Sequence, residues 1–312
     1  MSDFRELTIE GGCPIGVRDF GGEGPHVLLL PGAGRTLEDW TGFVEALLPD
    51  HRVVAMDLRN HGRSGRGTWT SAETLDDIGR VIAATELVEP VLIGHSLGGM
   101  LSAQYAVERG GVSGVINLDG YGHGRPDQYV GVEPEKVQAY HRLMRESAAT
   151  QADDSGAVTA EKLLSLLTAQ LSRGAAASLP LAGEVAGLAR SLRTGPAGET
   201  FMQPTGQDVL ELLDVLENVD WLSDVFGRVT VPFLLYRCEG LTGAEGEIRT
   251  LMSAYAKGLR RELEELSARG ENIQVRFLDT HHGFTLTMPR ELAEEARSFI
   301  GTVGLPSRVI AG

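Results

Sequence analysis

The sequence predicts an α/β fold with a mostly parallel central sheet, helices on both faces and an inserted helical block. Short apolar runs alternate with helix-like segments through short connections, which favours parallel strands joined by right-handed crossovers. Residues 27–30 and 91–93 are continuously apolar, as expected for strands that are covered on both faces. Between residues 121 and 220 the strand-like runs stop, and helical spacing of Leu, Val and Met replaces them.

The composition argues against several classes of protein. The chain has 312 residues, of which 42% are hydrophobic, enough for one large α/β domain with or without an insertion. The formal net charge is −15 and no run of Lys or Arg occurs, so a nucleic-acid partner is not expected. The aliphatic runs are too short to cross a membrane, and residues 1–6 lack a signal-peptide pattern. We therefore expect a cytoplasmic protein without a membrane partner, with Cys13 and Cys238 as reduced thiols.

The elements before the inserted block follow from local patterns. Two short runs that are split by Gly11 and Gly12 predict an antiparallel edge hairpin. Thr36 is placed to cap a helix, with Glu38 and Asp39 in its first turn. The predicted strands are residues 7–9, 15–17, 26–30, 52–57, 91–93 and 114–119, and the predicted helices are residues 36–48, 71–85 and 100–108.

The inserted block and the last part of the chain are predicted in the same way. In the block, helical segments are separated by Gly, Pro, Ser and Thr. Strands and helices then alternate again up to the C-terminal region. The predicted helices are residues 134–148, 159–171, 184–192, 208–218, 253–268 and 290–300, and the predicted strands are residues 231–238 and 273–278.

A strand-to-helix turn with the pattern Gly-x-Ser-x-Gly carries the strongest chemical signal. Gly94, Ser96 and Gly98 follow the apolar run 91–93 and precede the predicted helix. Glycines on both sides of the serine allow strand and helix to approach closely while the serine takes a strained conformation. The turn raises the Ser96 hydroxyl above the sheet edge and places the N–H of Leu97 at a helix N-terminus, where it favours a developing oxyanion.

This segment resembles the nucleophile elbow of the α/β-hydrolase superfamily. Residues 57–64 also resemble the D-x-R-G-H-G-x-S loop of that superfamily, where the loop is mainly structural. The resemblance implies an α/β-hydrolase fold, with a core formed by residues 1–120 and 221–312. It further implies that residues 121–220 are a helical lid, which forms one wall of the substrate pocket.

The resemblance also implies an oxyanion hole. In the family, the turn after the strand that corresponds to residues 26–30 donates the second N–H, which here belongs to Ala33, beside that of Leu97. The chain departs from the family pattern because Pro31 stands where a His is usual. Gly32, Gly34 and Tyr121 are expected beside the substrate. Arg35 follows this turn and is interpreted as a solvated arginine.

The remaining members of a catalytic triad are a base and an acid. A serine hydroxyl needs a base with a near-neutral pKa and a third group that orients the base. His282 follows the last strand and precedes Pro289, as the catalytic His does in the family, and is preferred to His281. Asp119 ends its predicted strand and is the preferred acid, with Glu239 as the alternative, because the loop 238–243 lacks the usual Asp. The other histidines are expected to be structural or solvated: His26, His51, His61, His95, His123 and His141.

Together these residues predict a serine hydrolase that cleaves an ester, thioester or lactone of a small hydrophobic molecule. Neither a cofactor nor a metal is expected, since no cluster has ligand-like spacing. Two alternatives stay open: the same triad used for C–C bond hydrolysis, acyl transfer or cyclisation, and a non-catalytic ligand-binding protein on this scaffold. Epoxide hydrolases and dehalogenases of the family are disfavoured, because they use Asp at the position of Ser96.

Overall fold

The computed structural model describes residues 3–122, 124–153, 157–176, 180–195, 197–240 and 245–303. Within these residues, eight strands form one sheet in the order β1-β2-β4-β3-β5-β6-β9-β10, and β7 and β8 form a separate hairpin. The strands are β1 (Arg5–Ile9), β2 (Ile15–Gly21), β3 (His26–Leu30), β4 (Arg52–Met56), β5 (Val91–His95), β6 (Gly114–Leu118), β7 (Leu192–Thr194), β8 (Thr200–Met202), β9 (Phe233–Cys238) and β10 (Ile273–Leu278).

The sheet is parallel from β4 to β10, and β2 pairs antiparallel with both β1 and β4. The predicted fold class and edge hairpin are therefore confirmed. In such a sheet the carboxyl ends of β3, β5, β6 and β9 lie at one edge, where α/β proteins gather their chemistry.

Helices cover both faces of the sheet. They are α1 (Thr41–Leu47), α2 (Ser71–Ala84), α3 (Leu97–Glu108), α4 (Pro134–Asp153), α5 (Ala160–Ala176), α6 (Leu181–Ser191), α7 (Gly206–Glu217), α8 (Gly246–Arg269), α9 (Phe284–Thr287) and α10 (Pro289–Val303). The segment predicted as one helix over 36–48 begins instead as a 3-10 turn, Leu37–Trp40, which Thr36 caps, before α1 continues it. Helix α8 begins at Gly246 rather than Ser253, and the short α9 was not predicted.

The apolar core has two sides because side chains alternate along each buried strand. On one side Leu29 and Ile93 pack with Phe43 of α1 and Phe299 of α10. On the other side Leu28 and Leu92 pack with α2 and α3, and Val115 and Leu235 pack with α8. Both faces of β5 are therefore buried, as its continuous apolar run predicts. No helix in the described part of the chain is long and apolar enough to cross a bilayer.

The block of residues 121–220 holds helices α4 to α7 at the four predicted places, together with the β7–β8 hairpin that the sequence pattern did not indicate. Buried ion pairs attach α6 to the sheet domain, by which we mean the strands and helices outside residues 121–220. Arg190 Nε lies 2.7 Å from Asp57 Oδ2, and Arg35 Nη2 lies 2.8 Å from Glu184 Oε1. The interpretation of Arg35 as a solvated arginine is wrong, because Asp39 and Glu184 both hold its guanidinium.

Candidate active site

Ser96 occupies a strained turn between β5 and α3. Its φ of 51° and ψ of −118° lie in a region that L-residues rarely adopt. The surrounding glycines are required by close backbone contacts. A Cβ atom at Gly94 would lie 2.1 Å from the carbonyl carbon of Gly98, and one at Gly98 would lie 2.3 Å from the carbonyl oxygen of Leu30. The backbone is thus packed around the serine as the Gly-x-Ser-x-Gly pattern predicts.

A second strained turn, at the end of β6, lies against the first. Asp119 has a φ of 62°. The side-chain amide of Asn117 stabilises this turn, since it donates to the carbonyl of Gly120 and accepts from the N–H of Gly120, both at 2.8 Å. A Cβ atom at Gly120 would lie 2.1 Å from the carbonyl oxygen of Ser96. The turn that carries Asp119 therefore abuts the backbone of Ser96.

The Asp119 carboxylate is buried, and both of its oxygens have partners. Oδ2 lies 2.7 Å from Nδ1 of His282, although the two residues are far apart in sequence. Oδ1 accepts the N–H of Cys238 at 2.8 Å and a hydrogen bond from Nη1 of Arg237 at 3.4 Å. This set of donors holds the carboxylate in place beside the His282 ring.

His282 is held from a second direction by His95. The Nε2 atom of His95 donates to the carbonyl oxygen of His282 at 2.9 Å, and the two ring centroids are 4.7 Å apart. Burial lowers the pKa of His95 well below its usual value, so this ring is neutral and its proton lies on Nε2. The side chain of His282 is 54% exposed. Within the described residues no hydrogen bond joins it to Ser96 Oγ.

The turn after β3 lies beside the serine. A Cβ atom at Gly32 would lie 3.4 Å from Cβ of Ser96. Gly34 has a φ of 69°, and its N–H donates to Nε2 of His61 at 2.9 Å. The Nδ1 atom of His61 lies 2.8 Å from the carbonyl of Arg59. Among the described residues, the N–H of Ala33 has no acceptor, and this residue is exposed.

Leu97 is the second residue from which an oxyanion-hole N–H is expected. Leu97 is the first residue of α3, so its N–H has no acceptor within the helix. The structure therefore brings Gly32, Ser96 and Leu97 to the carboxyl ends of β3 and β5, and it brings Asp119 and His282 together beside them.

Two other predicted site residues have different surroundings. The Glu239 carboxylate is 37% exposed and pairs with Arg260 at 2.5 Å. The Tyr121 ring lies under the guanidinium of Arg237, with 4.7 Å between the guanidinium carbon and the ring centroid. Tyr121 also lines a cavity of about 240 Å³ together with Trp221. Its contact with substrate stays a prediction.

The remaining histidines have local partners or lie outside the described residues. Nδ1 of His26 accepts the N–H of Val88 at 2.7 Å, and Nδ1 of His51 lies 3.1 Å from the carbonyl of Leu47. Nδ1 of His281 accepts the N–H of Gly283. His123 and the loop 241–244 lie outside the described residues. Cys13 and Cys238 are free and buried, and in the part of the chain that is described no group of three His, Cys, Asp or Glu is placed to hold a metal.

Three residues around the site were not recognised from the sequence in these roles: His95, Asn117 and Arg237. The signal for Arg237 was visible, because it is a charged residue inside the apolar strand β9, and such residues are rarely buried without a partner. Asn117 stands in the equally apolar strand β6. His95 precedes Ser96, but its contact with His282 depends on how the chain returns from β10.

Comparisons with known proteins agree with this fold. The profile of the family described as "alpha/beta hydrolase fold" matches residues 25–194. Protein phosphatase methylesterase 1 of Rattus norvegicus is 38% identical over 114 residues, which are 34% of this chain and 30% of that protein. The chain thus matches less than a third of that relative's length.

A second relative matches over nearly the whole chain. The pimeloyl-[acyl-carrier protein] methyl ester esterase of Vibrio vulnificus is 24% identical over 90% of this chain and 96% of its own length. The crystal structure of E-2-(acetamidomethylene)succinate hydrolase has a TM-score of 0.71 and 19% identity, and covers 96% of this chain and all of its own. With more than half of its residues matched by the family profile, the chain belongs to the α/β-hydrolase fold family.

Proposed function

We propose that the protein is a serine hydrolase that cleaves a carboxylic ester or thioester through Ser96, His282 and Asp119. The observation that carries this proposal is the 2.7 Å contact between Asp119 Oδ2 and His282 Nδ1, beside a serine at positive φ. A carboxylate bound to Nδ1 orients the ring so that Nε2 is available as the general base. The open side of the site, where His282 is half-exposed, is where a substrate carbonyl would approach Ser96.

The proposed reaction proceeds in two steps. Nε2 of His282 takes the proton of Ser96 as Oγ attacks the substrate carbonyl carbon, and the N–H groups of Ala33 and Leu97 stabilise the resulting oxyanion. The C–O bond to the alcohol, or the C–S bond to a thiol, then breaks, and the imidazolium protonates the leaving group. In the second step Nε2 of His282 takes a proton from water as the water oxygen attacks the acyl carbon. The C–O bond to Ser96 then breaks, and the imidazolium returns the proton to Oγ, which frees the acid and regenerates Ser96.

We assign residues 121–220 to a lid and infer that the substrate is a small hydrophobic ester. Two relatives are named as a methylesterase and a methyl ester esterase, so methyl esters are the first class to test. Arg190 and Arg35 attach α6 to the rest of the protein. Because Arg35 directly follows the turn of residues 31–34, this attachment supports a lid that stays docked beside that turn.

The test compares wild type with Ser96→Ala on two series of esters. Methyl esters and p-nitrophenyl esters of acids of increasing chain length are supplied, and the released alcohol is measured. A fluorophosphonate probe followed by peptide mass spectrometry locates the reactive residue without requiring the correct substrate. We expect turnover and labelling of Ser96 in wild type and neither in the variant, with the chain-length optimum reporting the size of the pocket.

The outcomes separate the proposal from its rivals. Labelling of Ser96 without turnover of any ester would contradict ester hydrolysis and favour C–C bond cleavage, acyl transfer or cyclisation by the same triad. A folded wild-type protein that neither labels nor turns over any ester would favour a binding protein.

A further inference from the structure

We propose that Arg237 is a positioning residue of this site, whose buried guanidinium pairs with the Asp119 carboxylate and holds it turned toward His282. This inference depends on the proposed triad. It goes beyond it by assigning a role to a residue that does not touch substrate.

Arg237 carries a positive charge in the interior of the protein. Arg237 lies in β9 between Tyr236 and Cys238 and is 5% exposed. A guanidinium cannot lose its proton in a protein, so it remains charged at this depth. A buried charge is tolerated only where an opposite charge and hydrogen bonds compensate its desolvation.

The negative charge that compensates the Arg237 guanidinium belongs to Asp119. Among the described residues, the one carboxylate within ion-pair distance of Arg237 is that of Asp119, with 3.4 Å between Nη1 and Oδ1. The face of the guanidinium is covered by the Tyr121 ring, 4.7 Å away, which stabilises a cation but cannot neutralise it. Asp119 therefore has two tasks, as counter-ion of Arg237 and as partner of His282.

The hydrogen bonds to Asp119 also fix the orientation of its carboxylate. Arg237 and the backbone N–H of Cys238 both donate hydrogen bonds to Oδ1 of Asp119, which leaves Oδ2 to contact Nδ1 of His282. The carboxylate is thus held by strand β9 on one side, and its rotation would break two contacts. Arg237 and the Cys238 N–H together fix the orientation of the carboxylate plane toward His282.

The charge of Arg237 also affects proton transfer at His282. Cys238 and Tyr121 also surround Asp119, and burial raises the pKa of both groups, so both are neutral at pH 7. Tyr255 lies beside Tyr121 and is neutral for the same reason. On the other side of His282 the His95 ring is neutral. Arg35 also acts on His95, but its charge is compensated by Asp39 and Glu184. Within the described surroundings of the pair, Arg237 is the cation in ion-pair contact with Asp119, and its charge opposes the protonation of His282.

The experiment compares Arg237→Met and Arg237→Lys with the control Arg52→Met. Arg52 is paired with the buried Asp19 at the amino end of β4, away from the site. The ring protons of His282 are titrated by NMR, with assignment from a His282→Gln variant, and kcat/KM is measured against pH. In Arg237→Met we expect the His282 midpoint to rise by about 0.5 to 1 pH unit. We also expect a drop in kcat/KM of about tenfold or more.

The control variants separate positioning from structure. Arg237→Lys keeps the charge, so the midpoint should return to within about 0.3 pH unit of wild type while part of the rate loss remains. Arg52→Met should leave the midpoint unchanged. A loss of activity in Arg237→Met without a shift of the midpoint would overturn the proposal, as would the same shift in Arg52→Met.

A further variant covers the case in which Arg237→Met does not fold. Asp119→Asn alone leaves the Arg237 charge uncompensated, so it should be less stable than the double variant Asp119→Asn/Arg237→Met in urea unfolding. Equal stability of the two would contradict the counter-ion role. The titration and the unfolding measurements need no substrate, so they judge Arg237 even if esters are not turned over.

Discussion

At the scale of single residues, the surroundings of two carboxylates distinguish the candidate acids. Asp119 is 2% exposed and accepts hydrogen bonds from backbone and side-chain donors. Glu239 follows the neighbouring strand but points outward to Arg260 on α8. A buried carboxylate with fixed partners can orient an imidazole, whereas an exposed one in a surface ion pair is screened by water. The geometry thus favours Asp119 as the acid.

Substitution of the two carboxylates tests this assignment. Asp119→Asn should lower kcat/KM by about 10³- to 10⁴-fold, because His282 loses the group that orients it and stabilises its charged form. Glu239→Gln should stay within about twofold of wild type, since it removes only a surface ion pair. Ester hydrolysis rates of purified variants with matched circular dichroism spectra provide the measurement. A large loss in Glu239→Gln with normal Asp119→Asn activity would reverse the assignment.

Two buried neutral histidines make stability depend on pH. Burial lowers the pKa of both His61 and His95 below the usual value of 6.5. The unfolded chain therefore binds protons at these residues that the folded chain does not bind. Their contribution is fully present above about pH 6.5 and is lost as the pH falls toward the folded pKa values.

The free energy of unfolding should consequently fall below pH 6.5, by up to about 1.4 kcal/mol per pH unit for each of these histidines. His61→Gln and His95→Gln should each reduce that slope, whatever they do to stability at pH 7.5. Urea unfolding at pH 7.5, 6.5 and 5.5 measures it. An unchanged slope in both variants would show that these rings do not carry the pH dependence.

At the scale of elements, the strand-to-helix turn concentrates close backbone contacts that a side chain would prevent. Helix α3 starts directly after Ser96 and crosses near the end of β3. Its approach places Gly98 against the carbonyl oxygens of Leu30 and Pro31. Both neighbours are backbone atoms of a buried strand and of the turn that follows it. Neither can move aside without disturbing the sheet or the turn after β3.

Gly98→Ala tests this packing. A Cβ atom would lie 2.3 Å from the Leu30 oxygen, so we expect a loss of about 3 kcal/mol in the free energy of unfolding and a strong loss of activity. Gly12→Ala is the matched control, because no atom lies within 4 Å of a Cβ there, and its stability should change by less than about 1 kcal/mol. Thermal and urea unfolding measure both. A fully stable Gly98→Ala protein would contradict the close approach of α3.

At the scale of the whole molecule, α6 is joined to the sheet domain by buried ion pairs. Arg190 contacts Asp57 and Glu6, and Asp57 also accepts the backbone N–H groups of Leu37 and Arg63. Asp57 is fully buried. The loop that the resemblance marks as structural is therefore one place where the inserted block and the sheet domain meet.

Arg190→Met should lower the free energy of unfolding by about 3 to 5 kcal/mol, because it leaves the Asp57 charge buried without its partner. The double variant Asp57→Asn/Arg190→Met should recover part of this loss. Arg145→Met removes an exposed ion pair between α4 and α7 and should change stability by less than about 1 kcal/mol. Urea unfolding of the four proteins gives the comparison. Equal effects of Arg190→Met and Arg145→Met would rule out a special role for the buried pair.

Much of the fold could be predicted because its signals are local. The apolar run of β5, the alternation of strands and helices and the glycines around Ser96 lie within a few residues of one another. The β7–β8 hairpin was not predicted, because its strands have three residues each and show no clear alternation of apolar and polar residues. Arg35 was interpreted as solvated because one of its partners, Glu184, is remote in sequence, although the other, Asp39, lies four residues away.

By itself, the sequence determined the α/β class, the strained serine turn and the set of residues from which a site could be built. Those properties follow from apolar period and glycine placement, which act over short distances. Only the tertiary structure decided that Asp119 rather than Glu239 meets His282, that His95 supports that histidine, and that Arg237 stands behind the acid. The reason is physical: these contacts depend on which strands are neighbours in the sheet and on how deeply each charge is buried, and both result from packing of the whole chain.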